Sequence, residues 1–334
     1  MPDYSTITTE IIQQAKTVED VLPIKNEACR SKFFFHSHPT SKVCLFFHGF
    51  TAGPYQFEPL GKALFESGYN VLIPLQPGHG IAGNWNGDNP PPLPTEQQVY
   101  QEFASSWLQI ARNLGEQIII SGLSTGGNLA AWLALEFTKE IEKAILFAPY
   151  VSGNNPIVNF LVEILPFYYE WLNKDNPGNF GYHGFRIPAL RLFLDMGQEV
   201  LERVEKEAAV PMFVISSESD PTIDHNELRA LFLALIKHQP QSWYFNFEKV
   251  FDIPHTMMTK AEGNKYQNLL ITIAKAYIES DVTWNELLNI GYQILQGKTF
   301  ESVGSQFNLC NKVSPDVAVL LAVMEKQIII EASE

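Results

Sequence analysis

The stretch Gln117-Ile118-Ile119-Ile120-Ser121-Gly122-Leu123-Ser124-Thr125-Gly126-Gly127 decides the reading of this chain. Three consecutive isoleucines make a run that is apolar on both faces, the pattern of a central strand covered from both sides. From Thr125 the composition turns helical and stays so to Thr138. Ser124 therefore stands on a tight strand-to-helix turn, with a glycine two residues away on either side, in the form G-x-S-x-G. Such a turn strains the serine backbone, and Gly122 and Gly126 leave room for strand and helix to approach. The turn lifts the hydroxyl to the carboxyl edge of the sheet, where the helix dipole favours developing negative charge. Ser124 is read as a nucleophile, with Gly122 and Gly126 as the glycines of its turn.

Outward from this turn, short β-branched and aromatic runs alternate with longer helical patterns, which predicts a mostly parallel sheet with helices on both faces. Residues 32–36 and 43–47 flank the turn-like His38-Pro39-Thr40-Ser41 and are expected to pair as an antiparallel hairpin. Further strands are expected at 70–73, 117–121, 143–147, 212–216 and 242–247, and helices at 54–67, 95–114, 125–138, 224–237 and 261–280. The class is α/β. Two stretches break the alternation. Residues 151–205 form an aromatic-rich insertion, of a size that makes either a lid or a packed subdomain. Residues 282–334 follow the point where the core is complete and carry their own helical patterns. They are expected to dock on the core or on a second subunit. The expected division is thus a core of 1–150 and 206–281, an insertion of 151–205 and an extension of 282–334.

A serine hydroxyl is a weak nucleophile near neutral pH and needs an adjacent base. Of eight histidines, His255 is the best placed, in the loop Phe251-Asp252-Ile253-Pro254-His255-Thr256 after the last strand. His48 and His79 read as braces of their loops, His225 and His238 as surface residues, and His183 lies in the insertion. His36 and His38 form an H-x-H with no third ligand in evidence, so no metal site is expected. The orienting acid is sought in Ser217-Glu218-Ser219-Asp220-Pro221-Thr222-Ile223-Asp224, after the strand at 212–216. Asp220 leads because it sits in a turn beside the strand's end. Asp224 reads as the N-cap of the next helix, and Glu218 as solvated. The run Leu45-Phe46-Phe47-His48-Gly49-Phe50-Thr51 ends a strand and enters a loop, so the backbone amides of Phe50 and Thr125 are the expected oxyanion donors.

The 334 residues are 46% hydrophobic and 18% charged, with a formal net charge of −14. That is ample for a continuous core and argues against disorder. An acidic surface repels phosphate backbones and anionic headgroups, which argues against nucleic-acid partners. No apolar run approaches the ~20 residues a membrane span needs. The polar start MPDYSTITTE lacks the basic and apolar regions of a signal peptide. Three scattered cysteines give no disulfide framework. A cytoplasmic location is the resulting expectation.

These pieces together resemble the α/β-hydrolase family, particularly its bacterial carboxylesterase and monoacylglycerol lipase branch. The resemblance is carried by HGFTAGP at 48–54, GYNVLIPLQPGHG at 68–80, GLSTGG at 122–127, SESDPTID at 217–224 and IPHTM at 253–257. It implies an eight-stranded sheet, a Ser124–His255–Asp220 triad, an oxyanion hole at Phe50 and Thr125, and a helical lid inserted after the strand at 143–147. Gln76-Pro77-Gly78 departs from the more usual Asp-x-Pro-Gly, and the extension from Val282 has no counterpart in the family pattern. The expected activity is hydrolysis of carboxylic esters through an acyl-enzyme, without cofactor or metal, on a small substrate with an apolar acyl group. Thioesterase, amidase and acyltransferase chemistry use the same triad and stand as alternatives. A non-catalytic hydrolase-like binding protein is the alternative of another class.

Overall fold

A computed structural model of the chain describes residues 3–152, 167–171, 177–309, 311–325 and 328–329. Seven strands form the main sheet: β1 (Lys32–Phe34), β2 (Lys42–Phe47), β3 (Asn70–Ile73), β4 (Gln117–Leu123), β5 (Lys143–Phe147), β8 (Met212–Ser217) and β9 (Trp243–Phe247). Their order is β1-β3-β2-β4-β5-β8-β9, and every pairing is parallel except that of β1 with β3. β4 is buried at every residue after Gln117, as its isoleucine run requires. Chain order changes direction across the sheet between β2 and β4, where Phe47 pairs with Gly122. The loops leaving those two strands part there, the position at which open α/β sheets form crevices.

Helices cover the sheet. They are α1 (Tyr4–Asp20), α2 (Glu58–Glu66), α3 (Gln97–Arg112), α4 (Thr125–Glu136), α5 (Pro188–Val204), α6 (His225–His238) and α7 (Gln267–Ile278). α4 is buried from Thr125 through Leu135. α5 lies against it, and Nδ2 of Asn128 fastens the two by donating to the carbonyls of Tyr150 at 2.7 Å and Phe193 at 2.8 Å. No helix among the described residues is long and apolar enough to cross a membrane.

Two expectations are corrected. The run at 32–36 does not pair with the run at 43–47, because both edges of β2 are taken by its parallel neighbours β3 and β4. β1 pairs instead with the free outer edge of β3, Phe33 opposite Leu72. The eight strands implied by the resemblance are seven in the main sheet of the described residues. The other two described strands, β6 (Tyr168–Glu170) and β7 (Gly184–Arg186), form a separate antiparallel pair within the insertion. Residues 153–166 and 172–176 of the expected helical lid lie outside the described residues.

The extension docks on the body. Its helices are α8 (Trp284–Leu295), α9 (Phe300–Gln306) and α10 (Val317–Val323). Thr283 and Glu286 form a capping box at the start of α8. The indole of Trp243 in β9 donates to the Val282 carbonyl at 3.1 Å, and Trp284 packs edge-on against Phe232 of α6 at 5.1 Å. The Ser314 amide donates to Ser280 Oγ at 2.9 Å. These three contacts join the extension to the last strand and helices of the body.

Candidate active site

Ser124 closes β4 with φ 56° and ψ −119°, a left-handed conformation that costs a non-glycine residue energy. Its neighbours show why the flanking residues are glycines. A Cβ on Gly122 would sit 1.9 Å from the Gly126 carbonyl oxygen, and one on Gly126 would sit 2.2 Å from that of Phe47. The turn is held by the Ser124 N–H donating to the carbonyl of Phe147, the last residue of β5, at 2.8 Å. The Ser124 carbonyl in turn accepts from Gly127 at 2.8 Å and Asn128 at 3.2 Å.

The structure brings Ser124, His255 and Asp220 into one line. Ser124 Oγ lies 2.8 Å from His255 Nε2, and His255 Nδ1 lies 2.6 Å from Asp220 Oδ2. The acid's side chain is fully buried while the imidazole is 20% exposed. Burial pushes the Asp220 carboxyl up, but the charge and hydrogen bond of His255, with the Thr222 amide at 2.8 Å on Oδ1, outweigh it and hold it below the ordinary aspartate value. Asp224 caps α6 through the amides of Asn226 and Glu227, and Glu218 accepts from the Lys249 amide at 2.8 Å. Neither reaches His255. His225, expected at the surface, is half-buried and donates through Nε2 to the Asp220 carbonyl at 3.1 Å. It therefore backs the acid's loop.

The loop leaving β2 is braced by two neutral imidazoles. His48 donates from Nδ1 to the Gly49 carbonyl at 3.0 Å and accepts the Gln76 amide on Nε2 at 3.1 Å. His79 donates from Nδ1 to the Pro77 carbonyl at 3.0 Å and accepts the Thr51 amide on Nε2 at 3.1 Å. Burial drives His48 well below the usual imidazole value and His79 down to about 4. The side chain of Gln76, at the position that departs from the family pattern, donates to the His48 carbonyl. The Thr51 amide is committed to His79, whereas the amides of Phe50 and Thr125 donate to no described residue.

The insertion reaches the same loop. Trp171 Nε1 donates to Thr51 Oγ1 at 2.8 Å, and the Tyr182 amide donates to the Thr51 carbonyl at 2.7 Å. Thr51 itself has φ 62°. Phe50 packs edge-on against Phe185 at 4.8 Å and Phe193 at 5.8 Å. An aromatic wall thus backs the loop, and Ser124 is only 7% exposed beside it. From the sequence, Trp171 and Tyr182 stand out only as two of the insertion's many aromatics, and Gln56 and Glu262 not at all. Their signal was the pairing of a hydrogen-bonding group with burial, which a single sequence does not display. Among the described residues no group of three or more histidine, cysteine or acidic side chains is placed to hold a metal ion.

A parallel sheet that reverses its order at the turn of Ser124, with Asp220 and His255 on the loops after the later strands, has the α/β-hydrolase fold, and this chain has that fold. Residues 38–181 match the family described as serine aminopeptidase, S33. Over 96 residues the chain is 30% identical to the thermostable monoacylglycerol lipase of Bacillus sp. (strain H-257). That alignment takes in 27% of this chain and 34% of the relative, so it spans about a third of the relative's length. Two solved structures share the fold. The monoacylglycerol lipase of Paleococcus ferrophilus superposes with a TM-score of 0.58 at 15% identity, over 74% of this chain and 97% of that one. A soluble variant of the monoglyceride lipase of Saccharomyces cerevisiae, in complex with a substrate analog, gives 0.58 at 16% identity, over 74% and 90%.

Proposed function

We propose that this chain is a serine hydrolase that cleaves carboxylic esters with an apolar acyl group, in the manner of a carboxylesterase or monoacylglycerol lipase. The observation that carries the reading is the line Ser124 Oγ–His255 Nε2 at 2.8 Å and His255 Nδ1–Asp220 Oδ2 at 2.6 Å, set on an α/β-hydrolase sheet. The partial match to the Bacillus monoacylglycerol lipase supports the substrate class.

In this reading Ser124 Oγ attacks the ester carbonyl while His255 Nε2 takes its proton. Asp220, ionised at neutral pH, fixes the proton on Nδ1 and so leaves Nε2 free to act as base. The tetrahedral oxyanion rests on the amides of Phe50 and Thr125, whose hydrogens are uncommitted. Collapse expels the alcohol, which carries away the proton held by His255. Water then attacks the acyl-enzyme through the same base and returns Ser124 to its resting state. No step calls on a metal or an organic cofactor. The aromatic residues that the insertion and α5 set behind Phe50 favour an alkyl acyl group over a polar one.

The matched family's description favours one second reading, hydrolysis of an amino-terminal amide by the same three residues. One experiment separates them. Labelling with a fluorophosphonate, mapped by mass, should mark Ser124 alone and vanish in Ser124→Ala. Hydrolysis of p-nitrophenyl esters of rising acyl length is then compared with that of aminoacyl p-nitroanilides. Ester turnover with a preference for longer chains supports the proposal, and anilide turnover without it moves the assignment to the peptidase reading. An unlabelled, well-folded protein leaves neither.

A further inference from the structure

Glu262 is a buried acid beside the reacting groups that takes no part in the steps above. It lies in the loop between His255 and α7 and is 5% exposed. Its Oε1 accepts from Gln56 Nε2 at 2.7 Å and from the Tyr55 hydroxyl at 3.5 Å. Its Oε2 accepts from Thr259 Oγ1 at 2.9 Å. Gln56 is engaged at its other end, where Oε1 accepts the Gly49 amide at 2.8 Å. An unbroken path therefore runs from Gly49, in the loop that carries Phe50, through Gln56 to Glu262, in the loop that carries His255. The Glu262 backbone is tied to that second loop as well, since Thr256 Oγ1 donates to its carbonyl at 3.3 Å. The insertion closes on the same point: a Cβ on Gly178 would sit 2.2 Å from the Ala261 carbonyl oxygen and 2.7 Å from the Glu262 nitrogen.

A carboxyl is a costly way to fill a buried site unless its lone pairs are used, and here both oxygens are engaged by groups from two separate loops. We propose that Glu262 is a positioning residue for acyl transfer, holding the oxyanion loop and the histidine loop at a fixed separation through Gln56. The inference rests on the serine-hydrolase reading above. Burial pushes its carboxyl up to about 7, against the hydrogen bonds of Gln56, Thr259 and Tyr55 and the charge of His255. The titratable groups that face it are Tyr55, from the turn Pro54–Phe57, and His255, from its own loop, while Gly178 brings backbone alone. Glu262 therefore changes charge near neutral pH. Its anion favours the imidazolium that forms when His255 takes the serine proton.

The test compares the wild-type protein with Glu262→Gln and Gln56→Ala. Three quantities are read from about pH 5.5 to about pH 8.5: kcat and KM on a p-nitrophenyl ester, the rate of fluorophosphonate inactivation, and amide exchange over residues 48–57. Glutamine keeps the shape of the protonated acid and removes its ionisation. The ratio of the wild-type kcat to that of Glu262→Gln should rise with pH, centred near 7. The two proteins should converge at the acid end and differ by about tenfold at the alkaline end, with KM changed less than about twofold. Gln56→Ala should lower kcat and quicken exchange in the 48–57 loop. Profiles of Glu262→Gln and wild type that superimpose, with unchanged exchange in Gln56→Ala, would overturn the proposal. If the wild-type protein is neither labelled nor active, the hydrolase reading has failed, and amide exchange alone then decides whether Glu262 and Gln56 couple the loops.

Discussion

Trp171 of the insertion and Thr51 of the loop leaving β2 share a hydrogen bond of 2.8 Å, indole N–H to hydroxyl, one residue beyond the amide expected to meet the oxyanion. Thr51 passes the contact on, since its own hydroxyl donates to the Phe50 carbonyl at 2.6 Å. Removing the indole N–H should loosen the donor without removing it. Trp171→Phe is expected to lower kcat several-fold, on the order of 1 kcal/mol of transition-state stabilisation, with a smaller change in KM. Steady-state kinetics on a p-nitrophenyl ester check this, and an unchanged kcat would separate the insertion from the chemistry.

Two neighbouring acids should respond differently to loss of charge. Asp220→Asn leaves a neutral partner for His255 Nδ1 and is expected to lower kcat by about 10³–10⁴. Asp224→Ala removes the cap on the amides of Asn226 and Glu227 and should cost about 1 kcal/mol of stability while activity persists. Urea denaturation and kcat measured on both variants give the contrast. A large loss of activity in Asp224→Ala would move the orienting role along the loop.

The serine turn was legible because its signal is local: three isoleucines, then glycines at fixed offsets around Ser124. The position of β1 was not, because which edge a strand joins depends on which edges are free, and the partners that occupy β2 lie far away in sequence. The same holds for Glu262 and Gln56, 206 residues apart and ordinary polar residues until the fold buries them against each other. α1 is a different case. Asp3 caps it at Thr6, and Tyr4, Ile7 and Ile11 give it one apolar face, with Ile11 buried and the Tyr4 hydroxyl on Asn70 Oδ1 at 2.8 Å. That helical spacing stood in the sequence, in a segment weighed only as a leader.

Acid should weaken the fold through His79. Its imidazole is neutral in the folded chain, with its value driven down to about 4 by burial, against an ordinary value near 6.5. An unfolded chain binds that proton first, so the stability this group contributes is full above about 6.5 and is lost as pH falls towards 4, a difference of roughly 3 kcal/mol at most. Chemical denaturation at several pH values should show stability falling less steeply with acid in His79→Gln than in the wild-type protein.

Glu262 should act with the opposite sign over an overlapping range. Its carboxyl is raised to about 7 by burial, so its contribution is full below about 4.5 and is lost as pH rises through 7. In the wild-type protein the two groups offset one another between about pH 5 and 7. Glu262→Gln removes the gain on acidification and should leave a steeper acid-side loss. A shallower loss in that variant would contradict the burial cause assigned to Glu262.

The pairing of Phe47 with Gly122 has a consequence for accuracy. Ser124 leaves its strand two residues after that rung, and the loop that carries Phe50 leaves the neighbouring strand at the rung itself. Their relative placement is thus inherited from a hydrogen-bonded ladder, whose tolerance is a few tenths of an ångström, rather than from the loops. Sequence drift in the surrounding loops can then change what the crevice accepts while the placement of Ser124 against the Phe50 loop stays set by the register of two central strands.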